Sequence, residues 1–126
     1  MIYGTGIDII EIKRIQNSLK KYSGRFEKRV FTSKEIEYCR TKAFPARHFA
    51  GRFAVKEAVL KAFGTGMRGG IAWKDLEVSN EKDSGKPVLK ITGKGFELFE
   101  HLKLKFIHIS ISHDDQYAIA QVIAEF

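Results

Sequence analysis

The segment FAGRFAVKEAVLKAFGTG, which spans positions 49–66, is the sequence feature that most restricts the fold. It predicts a long helix that ends at a glycine, because glycine readily adopts the left-handed conformation that closes a helix. Residues spaced four apart lie on one face of such a helix. Here they are Phe49, Phe53, Glu57 and Lys61. The two aromatic rings indicate a buried face, so the carboxylate that follows them needs an explanation.

Strands and shorter helices are predicted on both sides of this segment. The stretch from Ile2 to Ile10 is predicted as a strand, whose two glycines allow another backbone to approach closely. Helices are predicted over 11–21 and from a capping box at Thr32 to about Thr41. WKDLEV and PVLKI read as strands, 92–103 as a helix, and FIHISIS and YAIAQVIAEF as strands. The predicted order is one strand, three helices, two strands, one helix and two strands, which is an α+β fold.

The size and composition of the chain favour one domain over residues 1–126. The chain is 44% hydrophobic and 29% charged, which is ordinary for a globular protein with one modest core. No apolar run approaches the roughly 20 residues that a membrane span needs, and the first residues do not resemble a signal peptide. The single cysteine, Cys39, excludes an internal disulfide framework. We therefore expect a cytoplasmic protein without membrane association.

The positive charge is concentrated between Lys13 and Arg47. Eleven basic and three acidic residues lie in that segment, whereas the whole chain has a net charge of +7. Such a concentration suggests an anionic partner, either a nucleic acid, an acidic protein or a phosphorylated ligand. A solvated basic face without a partner is the simpler alternative.

Two carboxylates stand where burial would be costly. Asp8 lies between isoleucines in the first predicted strand, and Glu57 lies on the aromatic face of the long helix. If the two elements pack together, these carboxylates could hold Mg²⁺, which takes one or two protein carboxylates and completes its shell with water and phosphate. The alternative is that Asp8 caps the next helix and that Glu57 pairs with Lys61, four residues later.

Two further motifs carry weaker signals. The stretch KAFGTGMRGG contains Gly64 and Gly66, whose backbone amides could approach a phosphate, although such glycines more often only end a helix. The stretch HISISHDD lacks the context of a hydrolase triad. Within it, His108 alternates away from the isoleucine face of its strand, and His113 opens a turn.

Three segments together resemble the holo-acyl carrier protein synthases, the short members of the phosphopantetheinyl transferase superfamily. They are GTGIDIIEIKRI near the start, FAGRFAVKEAVLKAFGTG in the middle and HISISHDDQYAIAQV near the end. WKDLEV followed by GKP fits the same pattern, so the resemblance covers nearly the whole chain. It implies a compact single-domain phosphopantetheinyl transferase fold, with an antiparallel sheet packed against the long helix.

The resemblance implies Mg²⁺-dependent transfer of 4′-phosphopantetheine from coenzyme A to a serine of apo-acyl carrier protein. The second product is adenosine 3′,5′-bisphosphate. Asp8 and Glu57 match the metal-ligand positions, and Lys61 matches the position beside the reacting phosphates. Arg52 and His108 match positions for coenzyme A, near its 3′-phosphate. Either Glu57 or a water on the metal would take the serine proton.

The resemblance also assigns a partner to the basic segment. Arg14, Arg25 and Arg29 match positions that meet the acidic helix of the carrier protein, and Phe26 adds an apolar contact. Members of this length usually form homotrimers whose active sites are shared between subunits. A small basic nucleic-acid-binding domain is the alternative that charge and aromatic content allow.

Overall fold

The computed structural model describes all 126 residues and has an α+β architecture, as predicted. Its strands are β1 (Ile2–Glu11), β2 (Leu76–Asn80), β3 (Pro87–Ile91), β4 (Phe106–His113) and β5 (Tyr117–Glu125). Its helices are α1 (Ile12–Lys21), α2 (Arg25–Val30), α3 (Ser33–Arg40), α4 (Pro45–Phe63) and α5 (Gly93–His101). Two short 3₁₀ turns, Arg68–Gly70 and Trp73–Asp75, connect α4 to β2. No helix is long and apolar enough to cross a membrane.

The strands form two antiparallel sheets. The larger sheet has the order β1-β5-β4, with β1 and β4 at its edges, and β2 and β3 form a separate hairpin. In the larger sheet Asp8 lies opposite Ala120, and Ile111 also lies opposite Ala120 from the other side. Strand β5 therefore separates any site at the β1 edge from any site at the β4 edge.

Helix α4 lies across the inner face of the larger sheet and forms the centre of the core. Pro45 occupies its first turn, and Gly64 ends it in the left-handed conformation with φ 78°. The side chains of β5 that face the helix are small, which lets the helix approach closely; they are Ala118, Ala120, Val122 and Ala124. A Cβ at Gly6 would lie 1.8 Å from the carbonyl oxygen of Ala58, so only glycine fits there. The close approach predicted for β1 is confirmed.

The structure contains one more helix than the sequence predicted. The chain leaves the helical conformation at Tyr22–Gly24 and becomes helical again over Arg25–Val30. This helix, α2, has six residues, which is too few to show a hydrophobic period. Gly24 precedes it in the left-handed conformation, with φ 88°.

A buried ion pair joins α4 to the neighbouring elements. Lys56 is fully buried, and its ammonium donates to the Glu35 carboxylate at 2.7 Å and to the carbonyl oxygens of Val30 and Trp73 at 2.8 and 3.2 Å. Glu35 also accepts the backbone N–H of Thr32, in the predicted capping box, and that of Val78. Burial lowers the pKa of Lys56, and the charge of Glu35 opposes this effect. The pair is fully hydrogen-bonded, which is what a buried charge requires.

Candidate active site

The face of α4 that carries Glu57 is buried at one end and open at the other. Phe49 is completely buried, Phe53 and Glu57 are partly exposed, and Lys61 is exposed. Phe53 packs against the rings of Phe26 and Trp73. Glu57 therefore lies at the margin of the core, one helical turn beyond its last aromatic residue.

Asp8 lies on the side of β1 that faces α4. Gly4, Gly6, Asp8 and Ile10 alternate with exposed residues along the strand, and they form its more buried side. The ammonium of Lys61 donates to Asp8 Oδ1 at 3.2 Å and to the carbonyl oxygen of Ile7 at 2.9 Å. Asp8 and Lys61 thus form an ion pair where α4 crosses β1, and Glu57 lies one helical turn before Lys61 on the same face of α4.

The simpler pairing considered for the two acids is not the one that forms. Lys61 pairs with Asp8 and not with Glu57. Asp8 caps no helix, because Glu11 occupies the N-cap position of α1 and makes no side-chain cap. Sequence spacing favoured Glu57 and Lys61 as partners on one helix, but the approach of β1 gives Lys61 a closer carboxylate.

The pKa of Glu57 is raised, and its causes show how the site is built. Burial is the largest cause, and the negative charge of Asp8 is the second. The charges of Lys61 and Arg14 act in the opposite direction. Two carboxylates are therefore held close enough to repel each other, in a setting that is only partly solvated.

A divalent cation fits this donor set. Asp8 and Glu57 are the side chains that could hold it, because carboxylate oxygens are hard ligands and a cation would relieve their repulsion. The structure gathers no group of three or more ligating side chains. Two carboxylates suit Mg²⁺, which keeps several positions for water or a phosphorylated ligand.

Of the basic residues predicted to meet a partner, Arg14 lies near this pair and the others lie on α2. Arg14 on α1 is exposed and acts electrostatically on Glu57. Arg25 and Arg29 on α2 are also exposed. Phe26, between them, is partly buried against Phe31 and Phe53, at ring-centroid distances of 6.0 and 6.2 Å. A basic surface with an apolar centre therefore leads towards the Asp8–Glu57 pair.

Arg52 lies in a different place, in a small cavity near the β4 edge. Its guanidinium is buried, donates to Asn80 Oδ1 at 2.7 Å and stacks over the ring of Tyr38 at 4.2 Å. Its buried Nε has no hydrogen-bond partner within the chain. His48 and His113 also line this cavity of about 190 Å³. The pKa of His48 is lowered by burial first and then by the neighbouring positive charges. This cavity is suited to an anion.

His108, which was predicted to accompany Arg52, lies outside this cavity. Its side chain is on the outer face of β4 and pairs with Glu125. Neither His113 nor His48 was predicted to accompany Arg52. His48 could have been predicted, because it lies four residues before Arg52 on one helix and therefore on the same face.

The predicted phosphate-binding glycines lie at the end of α4. Gly64 lines an open cavity of about 550 Å³, together with Arg68 on the following turn and Lys94 on α5. Gly66 lies two residues further on, with φ 58°. The structure therefore divides the predicted site residues among four places. They are the site of Asp8, Glu57 and Lys61 with the basic surface beside it, the Arg52 cavity, the outer face at His108, and the end of α4.

Comparison with known proteins identifies the family. The model of the 4′-phosphopantetheinyl transferase superfamily matches residues 4–122. A holo-[acyl-carrier-protein] synthase of Koribacter versatilis is 48% identical over 125 residues, which cover 99% of both chains. The structure of the synthase from Neisseria meningitidis superimposes with a TM-score of 0.92 at 32% identity, over 100% of both chains.

A third comparison concerns a relative with a bound ligand. The synthase of Bacillus anthracis, solved in complex with CoA (3′,5′-ADP), is 38% identical and has a TM-score of 0.81, over 99% of this chain and 97% of that one. Family model, sequence and structure agree over nearly the full length. The chain belongs to the 4′-phosphopantetheinyl transferase superfamily and is an enzyme of the holo-[acyl-carrier-protein] synthase type.

Proposed function

We propose that this protein transfers the 4′-phosphopantetheine group of coenzyme A to a serine hydroxyl of an apo-acyl carrier protein, with Mg²⁺ as cofactor. The products are the holo-carrier and adenosine 3′,5′-bisphosphate. The observation that carries the proposal is the meeting of Asp8, Glu57 and Lys61 where β1 crosses α4. The relatives named for this activity support the substrates.

Asp8 and Glu57 are the proposed ligands of Mg²⁺. When bound, the ion would polarise the phosphoryl group under attack and neutralise charge on the leaving phosphate. In a phosphoryl transfer the protein mainly positions the reactants and stabilises charge. Proton transfer and further charge stabilisation are the proposed tasks of the protein's own side chains.

Glu57 and Lys61 have distinct proposed roles in the transfer. The serine oxygen forms a bond to the phosphorus that carries pantetheine, and the bond from that phosphorus to the oxygen of the leaving bisphosphate breaks. Glu57 accepts the serine proton, because it is the carboxylate of the pair that makes no ion pair within the chain. Lys61, held at Asp8, offsets the negative charge that develops on the phosphates.

The cavity around Arg52 is the proposed site of the coenzyme A 3′-phosphate. A phosphate there would satisfy the unpartnered Nε of the buried guanidinium and lie beside His48 and His113. This keeps Arg52 in its predicted role and pairs it with His113. The role of His108 stays a prediction without a supporting contact to that cavity.

The basic surface of α1 and α2 is the proposed docking site for the acidic carrier. Arg14, Arg25 and Arg29 are free to reach carboxylates, and Phe26 contributes an apolar contact. The alternative of a nucleic-acid-binding domain depended on charge and aromatic content alone. An acidic carrier accounts for the same positive charge, and the transfer reaction also gives the Asp8–Glu57 pair a role. We place the reaction in the cytoplasm, because the single buried thiol of Cys39 needs no oxidising compartment.

We further propose that the working form is a homotrimer with shared active sites. Arg52 and Glu57 are five residues apart on α4, so they point about 140° apart around the helix. Their sites lie at opposite edges of the larger sheet. One coenzyme A molecule would reach both sites most directly if they belonged to neighbouring copies.

The outer face of the larger sheet offers the surface for such an assembly. Ile7 and Ile9 on β1 are 57% and 62% exposed, and Tyr117 and Ile119 on β5 lie beside them. An apolar sheet face that is open in one copy favours burial against another copy.

The test of the proposed function is intact-mass spectrometry of an apo-acyl carrier protein. The carrier is incubated with this protein, coenzyme A and Mg²⁺, beside a matched reaction that contains a chelator. We expect a mass increase of one phosphopantetheine only when the metal is present. No increase with well-folded enzyme and several carriers would overturn the proposal.

A further inference from the structure

Glu27 is a buried acid in the middle of the basic surface. It lies on α2 between Arg25 and Arg29, yet its residue is only 4% exposed whereas theirs are exposed. One carboxylate oxygen pairs with the Arg40 guanidinium at the end of α3. The other oxygen is buried without a hydrogen-bond partner. An acid in such a position is costly unless it has a task.

Helix α2 needs anchors from outside itself. It has six residues, which is too short for a helix to be stable in isolation, and it follows a left-handed Gly24 that offers no side-chain cap. Phe26 packs against the rings of Phe31 and Phe53, and the ammonium of Lys56 donates a hydrogen bond to the carbonyl oxygen of Val30.

The pair formed by Glu27 and Arg40 is the remaining anchor of α2. It is the one ion pair that ties this helix to α3. The rotation of α2 about its own axis decides where Arg25 and Arg29 point, and an inward contact on the opposite face fixes that rotation.

We propose that Glu27 is a positioning residue for carrier recognition, which acts through Arg40 to hold α2 so that Arg25 and Arg29 face the acidic carrier. This inference rests on the proposed function, and in particular on the docking surface. Glu27 is buried and touches neither substrate in this proposal. Its substitution should nevertheless weaken the binding of the carrier and leave the binding of coenzyme A unchanged.

Positioning and simple electrostatics predict opposite signs for one substitution. Glu27→Gln removes a negative charge from a surface that binds an acidic protein, so electrostatics alone predicts a lower carrier KM. If Glu27 positions α2, the same substitution releases Arg40 and loosens the helix, and the carrier KM rises. The sign of the change therefore separates the two interpretations.

The experiment measures both KM values for Glu27→Gln and for the matched control Glu37→Gln, an exposed acid on α3. We expect the carrier KM of Glu27→Gln to rise about fivefold to tenfold, as for the loss of one ordinary hydrogen bond. The KM for coenzyme A and kcat at saturating carrier should stay unchanged. Arg40→Gln should also raise the carrier KM, and it replaces Glu27→Gln in the double-mutant cycle below if Glu27→Gln folds poorly.

A double-mutant cycle separates a positioning role from a general effect on folding. In an Arg25→Ala/Arg29→Ala background, Glu27→Gln should no longer change the carrier KM, because the arginines it positions are gone. An effect that persists there, a lower carrier KM, or an equal rise in both KM values would overturn the inference. If Arg25→Ala/Arg29→Ala itself leaves the carrier KM unchanged, the docking surface is wrong. Absence of turnover in the wild-type protein would instead reject the proposed function.

Discussion

At the scale of single residues, Glu57 stands in a place that favours function over stability. Its carboxylate is partly buried next to another carboxylate, and both conditions raise its pKa. The folded protein therefore keeps the Glu57 proton at pH values where the unfolded chain has released it. As the pH rises from the ordinary glutamate pKa through the raised value, this group takes stability away from the folded state.

Glu57→Gln should therefore change activity and stability in opposite directions. The amide provides neither a base nor an anionic metal ligand, so we expect kcat to fall at least ~100-fold. In metal-free buffer at pH 7 the same variant should have a higher Tm than the wild type, because a neutral amide avoids both the cost of burying the charge and its repulsion with Asp8. The difference should shrink below roughly pH 4, where the wild-type carboxyl is protonated in both states. A lower Tm at pH 7, measured by thermal unfolding, would contradict this account of the site.

Arg14 gives a second prediction at this scale, which concerns binding. Arg14→Glu reverses an exposed charge beside the catalytic pair, so we expect the carrier KM to rise about tenfold or more while the KM for coenzyme A changes little. Added salt should reduce the difference between variant and wild type. Lys103→Glu, an exposed charge reversal on the turn before β4, is the matched control. Equal changes in both KM values for Arg14→Glu would count against a carrier contact.

At the scale of elements, the contact between β1 and α4 brings Asp8 and Glu57, the proposed catalytic pair, to one place. Asp8 is two residues beyond Gly6, on the same side of the strand, so the distance between strand and helix sets the distance between Asp8 and Glu57. The helix can approach because neither Gly4 nor Gly6 has a side chain, and a Cβ at either would strike a carbonyl oxygen of α4.

Gly6→Ala should therefore separate the two elements. Its Cβ would meet backbone atoms of Ala58 at 1.8 and 2.8 Å, and backbone cannot move aside as a side chain can. We expect a loss of ~3 kcal/mol or more in the free energy of unfolding, together with loss of turnover. Gly51→Ala is the control, since its Cβ would meet only a methyl group of Ile111 at 3.0 Å and alanine favours the helix. Denaturant unfolding of both variants measures the difference, and equal stabilities would reject the steric argument.

The elements also show what the sequence could and could not predict. Period and capping signals are local, so they predicted the strands, α4 and the capping box at Thr32. The convergence of Asp8 and Glu57 was predictable because two acids stood against local preference in separate elements. The hydrogen-bond partners of Arg52 and Lys56 were not predictable, because Asn80 and Glu35 reach them only through packing between distant segments.

At the scale of the whole molecule, the two proposed substrate sites of one copy lie at different edges of the larger sheet. The Asp8–Glu57 pair lies at the β1 edge of the sheet, and the Arg52 cavity lies at the β4 edge. A cyclic assembly brings unlike edges of neighbouring copies together, and a closed ring repeats that contact at every interface. The exposed isoleucines of β1 then become part of a shared core.

This assembly predicts that two inactive variants restore each other's activity. Glu57→Gln damages the catalytic side of an interface, and Arg52→Gln damages the coenzyme A side, so each alone should be inactive at low coenzyme A. After the two are unfolded and refolded together, some interfaces combine an intact Glu57 from one copy with an intact Arg52 from another. Random mixing should restore roughly a quarter of the wild-type activity. The control mixes Glu57→Gln with Asp8→Asn, which damage the same side and should restore none. Mixed trimers without restored activity in native mass spectrometry, or a fully active monomer in sedimentation, would contradict shared active sites. Each chain would then complete its own site, and the two sites on α4 would bind different ligands.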